Sequence, residues 1–151
     1  MNTVKIKNIE IGTGIPKICV PIVGATRDEI LLSARQLCQS AADIVEWRAD
    51  WYEDVLDTDK VLGTLAEIRD ILPDIPLLFT FRTAGEGGER DISPEGYKHL
   101  NCTVSESGYI DLIDVELFTG DSIVKELIES AHSRGVKVIV SNHDFEKTPC
   151  K

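Results

Sequence analysis

Along this chain the apolar positions switch repeatedly between a period of two and a period of 3.6 residues, the pattern of strands giving way to helices. Val4-Lys5-Ile6-Lys7 and Asn8-Ile9-Glu10-Ile11 alternate strictly and run into Gly12-Thr13-Gly14 ahead of Pro16, which predicts an N-terminal β-hairpin over residues 4–11. Residues 17–23 (KICVPIV) form an almost continuous apolar run and read as a strand buried on both faces. Thr26-Arg27-Asp28-Glu29 is a capping box, and Ile30, Leu31, Ala34, Leu37 and Cys38 follow at helical spacing, so a helix is expected over residues 27–40. Strands are then expected at 44–50, 76–82, 109–117 and 136–142. Between them lie a helix over 57–72 stopped by Pro73, one opened by Ser93-Pro94, and one over 121–133 closed by Arg134-Gly135.

No linker or low-complexity tract divides the pattern, so residues 1–151 are expected to form a single α/β domain of about five parallel strands joined by right-handed crossovers. Two architectures fit. A doubly wound, flavodoxin-like sheet uses five strands, whereas a (β/α)8 barrel takes about 250 residues. On the count of 151 residues alone, the open sheet is favoured.

Charge narrows the partners. Sixteen Lys and Arg against 26 Asp and Glu give a net charge of −10, which repels phosphate backbones and anionic lipid and argues against nucleic acid and membrane surfaces. The longest apolar runs are strand-sized, and the N-terminus lacks the apolar core of a signal peptide, so a cytoplasmic protein is expected. Cys19, Cys38, Cys102 and Cys150 form no C-x-x-C pair and read as reduced thiols rather than zinc ligands or disulfides.

The polar residues of the strands turn the choice of architecture. Glu46 and Arg48 share one strand face while Val45 and Trp47 share the other. Leu78, Thr80 and Arg82 share a face, as do Asp114 and Glu116, and as do Ile139, Ser141 and His143. Four successive strands thus finish in ionisable groups, where a barrel places its active site. Each residue also has a plainer reading. Glu46 and Arg48 could pair on an exposed edge; Asp114 and Glu116 could cap loops or pair with Arg48 or Arg82; His143 could bond Asp144; Glu86 could be loop charge among glycines. His99 and His132 lie in helices and read as solvated. The stretch Ala84-Gly85-Glu86-Gly87-Gly88-Glu89 lacks the G-x-G-x-x-G spacing and is no phosphate loop. Taken together, two guanidinium groups and several carboxylates around one histidine suit proton transfer on a small polyhydroxylated acid.

These residues carry a resemblance. Lys17-Ile18-Cys19-Val20-Pro21, Glu46-Trp47-Arg48-Ala49-Asp50, Phe79-Thr80-Phe81-Arg82-Thr83 with Glu86-Gly87-Gly88-Glu89, Ile113-Asp114-Val115-Glu116-Leu117-Phe118 and Val138-Ile139-Val140-Ser141-Asn142-His143-Asp144 closely resemble the N-terminal part of type I 3-dehydroquinate dehydratase. The resemblance implies a (β/α)8 barrel closed below by an N-terminal hairpin, here present as a partial barrel of about five units. It implies a hydro-lyase of the shikimate pathway that converts 3-dehydroquinate to 3-dehydroshikimate through a Schiff base, without metal or nucleotide.

By the same resemblance His143 is the general acid/base and Glu86 the carboxylate that orients it. Glu46, Arg48 and Arg82 hold the substrate's ring hydroxyls, with Trp47, Asp114, Glu116 and Ser141 in support. In the family the Schiff-base lysine lies on the sixth strand, beyond the five read here. Of the lysines present, Lys147 alone is expected near the active end. The chain is therefore expected to be inactive by itself, as a fragment, a split enzyme or a natural truncation. It would be completed by the C-terminal half of the barrel or by a second copy. The alternative is a non-catalytic module that self-associates or only binds dehydroquinate.

Overall fold

Ile6 shows how the chain begins its core. In the computed structural model, which describes residues 2–148, β1 (Val4–Ile6) and β2 (Ile9–Ile11) pair antiparallel, and Ile6 packs with Ile44, Leu78 and Leu112 against one face of the main sheet. Three strands contribute one apolar side chain each to this lower layer, so the hairpin plugs the end of the sheet that the resemblance assigns to it. Cys150 and Lys151 lie outside the described residues.

The main sheet consists of β3 (Cys19–Ile22), β4 (Ile44–Arg48), β5 (Leu77–Thr80), β6 (Leu112–Glu116) and β7 (Lys137–Ser141), all parallel and ordered as in the chain. This order overturns the open-sheet reading. A flavodoxin-like sheet reverses direction after its first crossover and covers both faces, whereas sequential order with one covered face is an arc of a barrel. Helices α1 (Arg27–Leu37), α2 (Thr58–Ile71), α3 (Pro94–Glu106) and α4 (Asp121–Ser133) all pack on the face that carries Val45, Trp47, Phe79, Phe81, Ile113 and Val115. Each side chain comes from alternate strand positions, which leaves the other face to Glu46, Arg48, Thr80, Asp114 and Ser141.

Helix starts follow the expected chemistry. Thr26 and Glu29 form the reciprocal capping box of α1, Asp57 caps α2 through the Lys60 amide, and Ser93 caps α3 with Pro94 in its first turn. Several expectations are corrected. The first helix stops at Leu37, and Cys38, its C-cap, is exposed rather than part of an apolar interior. Residues 17–23 are not buried on both faces: only Cys19–Ile22 pair, Ile18 and Val23 are 55% and 45% exposed, and Ile22 alone is fully buried. Among the described residues β3 has a single neighbour, β4. The remaining strands are also shorter than expected: β4 and β6 end where the 3-10 turns Ala49–Trp51 and Leu117–Thr119 begin, β5 stops at Thr80 ahead of the turn Ala84–Glu86, and β7 covers only Lys137–Ser141.

Candidate active site

The strand ends converge as the alternation predicts. Arg82, just past β5, is only 6% exposed and sits at the centre of a buried ion network. Its Nη2 donates to Asp114 Oδ1 at 2.8 Å, and its Nη1 donates to Glu116 Oε1 at 2.9 Å, to Ser141 Oγ at 3.0 Å and to Glu86 Oε2 at 3.4 Å. Ser141 in turn donates to Asp114 Oδ1 at 2.8 Å. Both Thr83 donors reach Glu116, the backbone N–H to Oε1 at 2.9 Å and the hydroxyl to Oε2 at 2.8 Å. Both plainer readings of this pair are present: Asp114 and Glu116 pair with Arg82, and Glu116 also caps the loop at Thr83. Burial raises the Asp114 carboxyl above its ordinary value, even though Arg82 and Ser141 pull it the other way.

Arg48 is held differently. Its Nε and Nη2 fork the carboxylate of Asp50, both at 2.8 Å, and this bond holds the guanidinium pKa up. Asp50 is fully buried and also accepts the Glu89 amide at 3.1 Å, so one carboxylate ties the end of β4 to the loop after β5. The pairing of Glu46 with Arg48 is therefore corrected: the fork faces Asp50, and Glu46, half-buried, enters no ion pair among the described residues. Trp47 is corrected as well. It is fully buried on the helix side of the sheet, edge-on to Phe79 with centroids 5.7 Å apart, and takes no part in the site.

His143 follows β7 and lies against the loop after β5. Its backbone N–H donates to Glu86 Oε2 at 3.0 Å, and its Nδ1 lies 3.0 Å from the same oxygen. An ionised carboxylate can only accept, so Nδ1 carries the proton and Nε2 is left as the basic edge of the ring. The pairing with Asp144 is corrected: Asp144 accepts the Glu146 and Lys147 amides instead. His99 and His132 are exposed, as expected.

Two glycines make this loop possible. The Gly88 amide bonds the Thr83 carbonyl at 2.8 Å, and a Cβ on Gly88 would stand 1.9 Å from the Arg82 carbonyl oxygen. Gly87 has φ +86°, and Phe145 lies where its Cβ would be, 2.7 Å from the ring. The loop carrying Glu86 and the segment carrying His143 are thus interlocked. Gly88→Ala is expected to lower stability by more than ~2 kcal/mol, read as a shift of the urea midpoint, because the clash is with backbone that cannot yield. An unchanged midpoint contradicts this geometry.

Cys19 stands on the inner side of β3, where desolvation first and the charge of Glu46 second push its thiol up to about 11. At pH 8 the thiolate is scarce, so iodoacetamide should alkylate Cys19 roughly 100-fold more slowly than an unperturbed thiol. Site-resolved mass spectrometry measures this, and Glu46→Gln should speed the reaction.

The sequence placed Glu46, Arg48, Arg82, Asp114, Glu116, Ser141, Glu86 and His143 at one end of the sheet, and all eight are there. It missed Asp50, Thr83 and Tyr97. Asp50 had a signal in the Arg-x-Asp spacing at a strand end; Tyr97 had none, because its position is an ordinary core position of α3. Among the described residues no three His, Cys, Asp or Glu side chains are grouped to hold a metal ion, and no helix is long and apolar enough to cross a membrane.

Comparison with known proteins gives a consistent match. The model of the family described as type I 3-dehydroquinase matches residues 18–151. The 3-dehydroquinate dehydratase of Clostridium botulinum is 58% identical over 148 residues, covering 98% of this chain and 58% of that one. That of a Listeria monocytogenes strain is 53% identical, covering all of this chain and 60% of its own length. Among solved structures, the type I 3-dehydroquinate dehydratase of Clostridium difficile with covalently modified comenic acid superposes with a TM-score of 0.96 at 51% identity, covering 98% of this chain and 58% of that one. The chain spans about 60% of the length of the curated relatives it matches.

Proposed function

Because this chain belongs to the type I 3-dehydroquinase family, we propose that it supplies the acid/base and hydroxyl-binding side of a site that removes water from 3-dehydroquinate to give 3-dehydroshikimate. The carrying observation is His143, held at Nδ1 by Glu86 with Nε2 free at the open end of the site. In this reading a lysine amine condenses with the substrate ketone, releasing water and leaving an iminium ion that draws electrons from the adjacent carbon. His143 Nε2 takes the proton from that carbon, then returns it to the neighbouring hydroxyl, which leaves as water. Hydrolysis frees the product and restores the amine. Glu46 and the Arg48 guanidinium, locked in orientation by Asp50, hold the ring hydroxyls; Arg82 joins them from the floor of the site.

The amine is supplied from sequence other than the residues described. Lys7 bonds the Pro73 carbonyl at 2.6 Å, and Lys5 and Lys137 line a pocket at the hairpin end, opposite the site. Lys60 pairs with Asp54 and Lys98 with Glu126 on the helix side. Lys17 precedes β3 and Lys125 lies on α4, and Lys147, past His143, bonds Asp144 through its backbone amide and is assigned no part in the chemistry. The partner that fits is the remaining arc of the family barrel, because β7 leaves Ile139 and Val140, 38% and 47% exposed, on an edge that is unpaired among the described residues. Residues 1–151 are read as the first five strands of that barrel with the four helices between them.

Mixing the chain with the C-terminal segment of the Clostridium botulinum relative tests this. Dehydration, followed through the ultraviolet absorbance of the conjugated enone, is expected in the mixture and not from the chain alone. A complex that forms yet never turns over would overturn the reading. Turnover by the chain alone, whether as a monomer or as a dimer in size-exclusion chromatography, would overturn it as well, because the amine would then be one of this chain's own lysines.

A further inference from the structure

The ladder between β5 and β6 ends early. Leu78 faces Leu112 and Phe79 faces Ile113, and no further pair follows, whereas β6 and β7 pair over five residues to Glu116 and Ser141. Continued by two residues, the β5–β6 register would set Phe81 opposite Val115. In a parallel ladder one residue of the neighbouring strand bonds both the carbonyl before and the amide after the residue it faces. Those two groups are the Asp114 carbonyl and the Glu116 amide, and Phe81 reaches neither.

Tyr97 of α3 takes that place. Its hydroxyl donates to the Asp114 carbonyl at 3.2 Å and accepts the Glu116 N–H at 3.1 Å, while its ring lies edge-on to Phe81, centroids 6.3 Å apart. The side chain is 1% exposed. One hydroxyl thus does the work of one residue of β5, satisfying two strand groups that would otherwise be buried and unpaired. Meanwhile the strand end it displaces is free to turn, and Arg82 and Thr83 follow at once, reaching Asp114, Glu116 and Ser141.

We propose that Tyr97 is a positioning residue: its hydroxyl, wedged between β5 and β6, sets the placement of Asp114 and Glu116 and through them the guanidinium of Arg82 that faces the substrate. This rests on the proposed dehydration, but it adds a residue outside the substrate's reach. Tyr97→Phe keeps the ring against Phe81 and removes only the two bonds.

In the 151-residue chain, the Glu116 amide of Tyr97→Phe should exchange with deuterium at least ~10-fold faster than in the native protein. In the completed enzyme, KM for dehydroquinate should rise about 10-fold with kcat within about threefold, the sign of lost ground-state positioning. A role in folding alone would lower the active fraction and hence kcat, leaving KM unchanged. 4-Aminophenylalanine in place of Tyr97 keeps a donor and an acceptor and should restore KM; it also replaces Tyr97→Phe as the test if that variant does not fold. Unchanged Glu116 exchange, or faster exchange with unchanged KM, overturns the proposal. If the native chain gives no turnover with its complement, the dehydration reading fails on its own, and the exchange measurement still decides whether the hydroxyl holds β6.

Discussion

His143→Ala, in the chain completed by its C-terminal complement, lowers kcat by about 10^2 to 10^4-fold, the usual contribution of a positioned acid/base. Two proton transfers depend on the same Nε2, which places the effect toward the upper end. KM changes little, since the ring is assigned no hydroxyl to hold. Stability changes by no more than about 0.5 kcal/mol, because the side chain is 41% exposed and its partner Glu86 keeps Arg82. Steady-state kinetics beside a urea titration separate these outcomes. Near-native turnover would remove His143 from the mechanism.

Arg82→Leu has the largest expected effect on stability. The substitution leaves Asp114 and Glu116, 4% and 3% exposed, without the cation that both now bond. Breaking a buried ion network on one side costs about 3–5 kcal/mol. The loss depends on pH in a definite direction. Burial already holds the Asp114 carboxyl above its ordinary value, and Arg82 is the chief group opposing that rise. A carboxyl raised on folding contributes stability below its unfolded pKa and loses it as pH rises through the folded value. With Arg82 gone the folded value rises further, so the deficit is greatest near pH 7 and shrinks toward pH 4. Urea titrations across that range measure it; a deficit constant with pH would show that the cost is one of packing.

Much of this arrangement is legible from strand periodicity. The period of two fixes which face Glu46 and Arg48 share, and the position of the charge at the end of each strand fixes which rim they occupy. Capping boxes and prolines mark the helix starts because they satisfy backbone groups that no tertiary contact has to supply. Partners are another matter. That Arg48 forks Asp50 rather than Glu46 depends on the 3-10 turn after β4, and that His143 meets Glu86 rather than Asp144 depends on a loop folded back over Gly88. Trp47 stands beside two site residues in sequence, yet it points into the helix layer. Residues 17–23 read as a strand buried on both faces because apolarity records what a strand is suited to bury, whereas exposure at Ile18 and Val23 reflects which neighbours it has. Tyr97 left no trace in the pattern, since a core tyrosine and a core phenylalanine have the same periodicity.

The central claim is that this chain holds the acid/base side of the site and that the amine comes from elsewhere. Reduction with borohydride in the presence of dehydroquinate, followed by intact-mass analysis of each polypeptide, tests it most directly. The expected result is a reduced adduct on the C-terminal complement and none on the 151-residue chain, alone or mixed. A reduced adduct on this chain by itself would show that one of its own lysines forms the Schiff base and would contradict the claim.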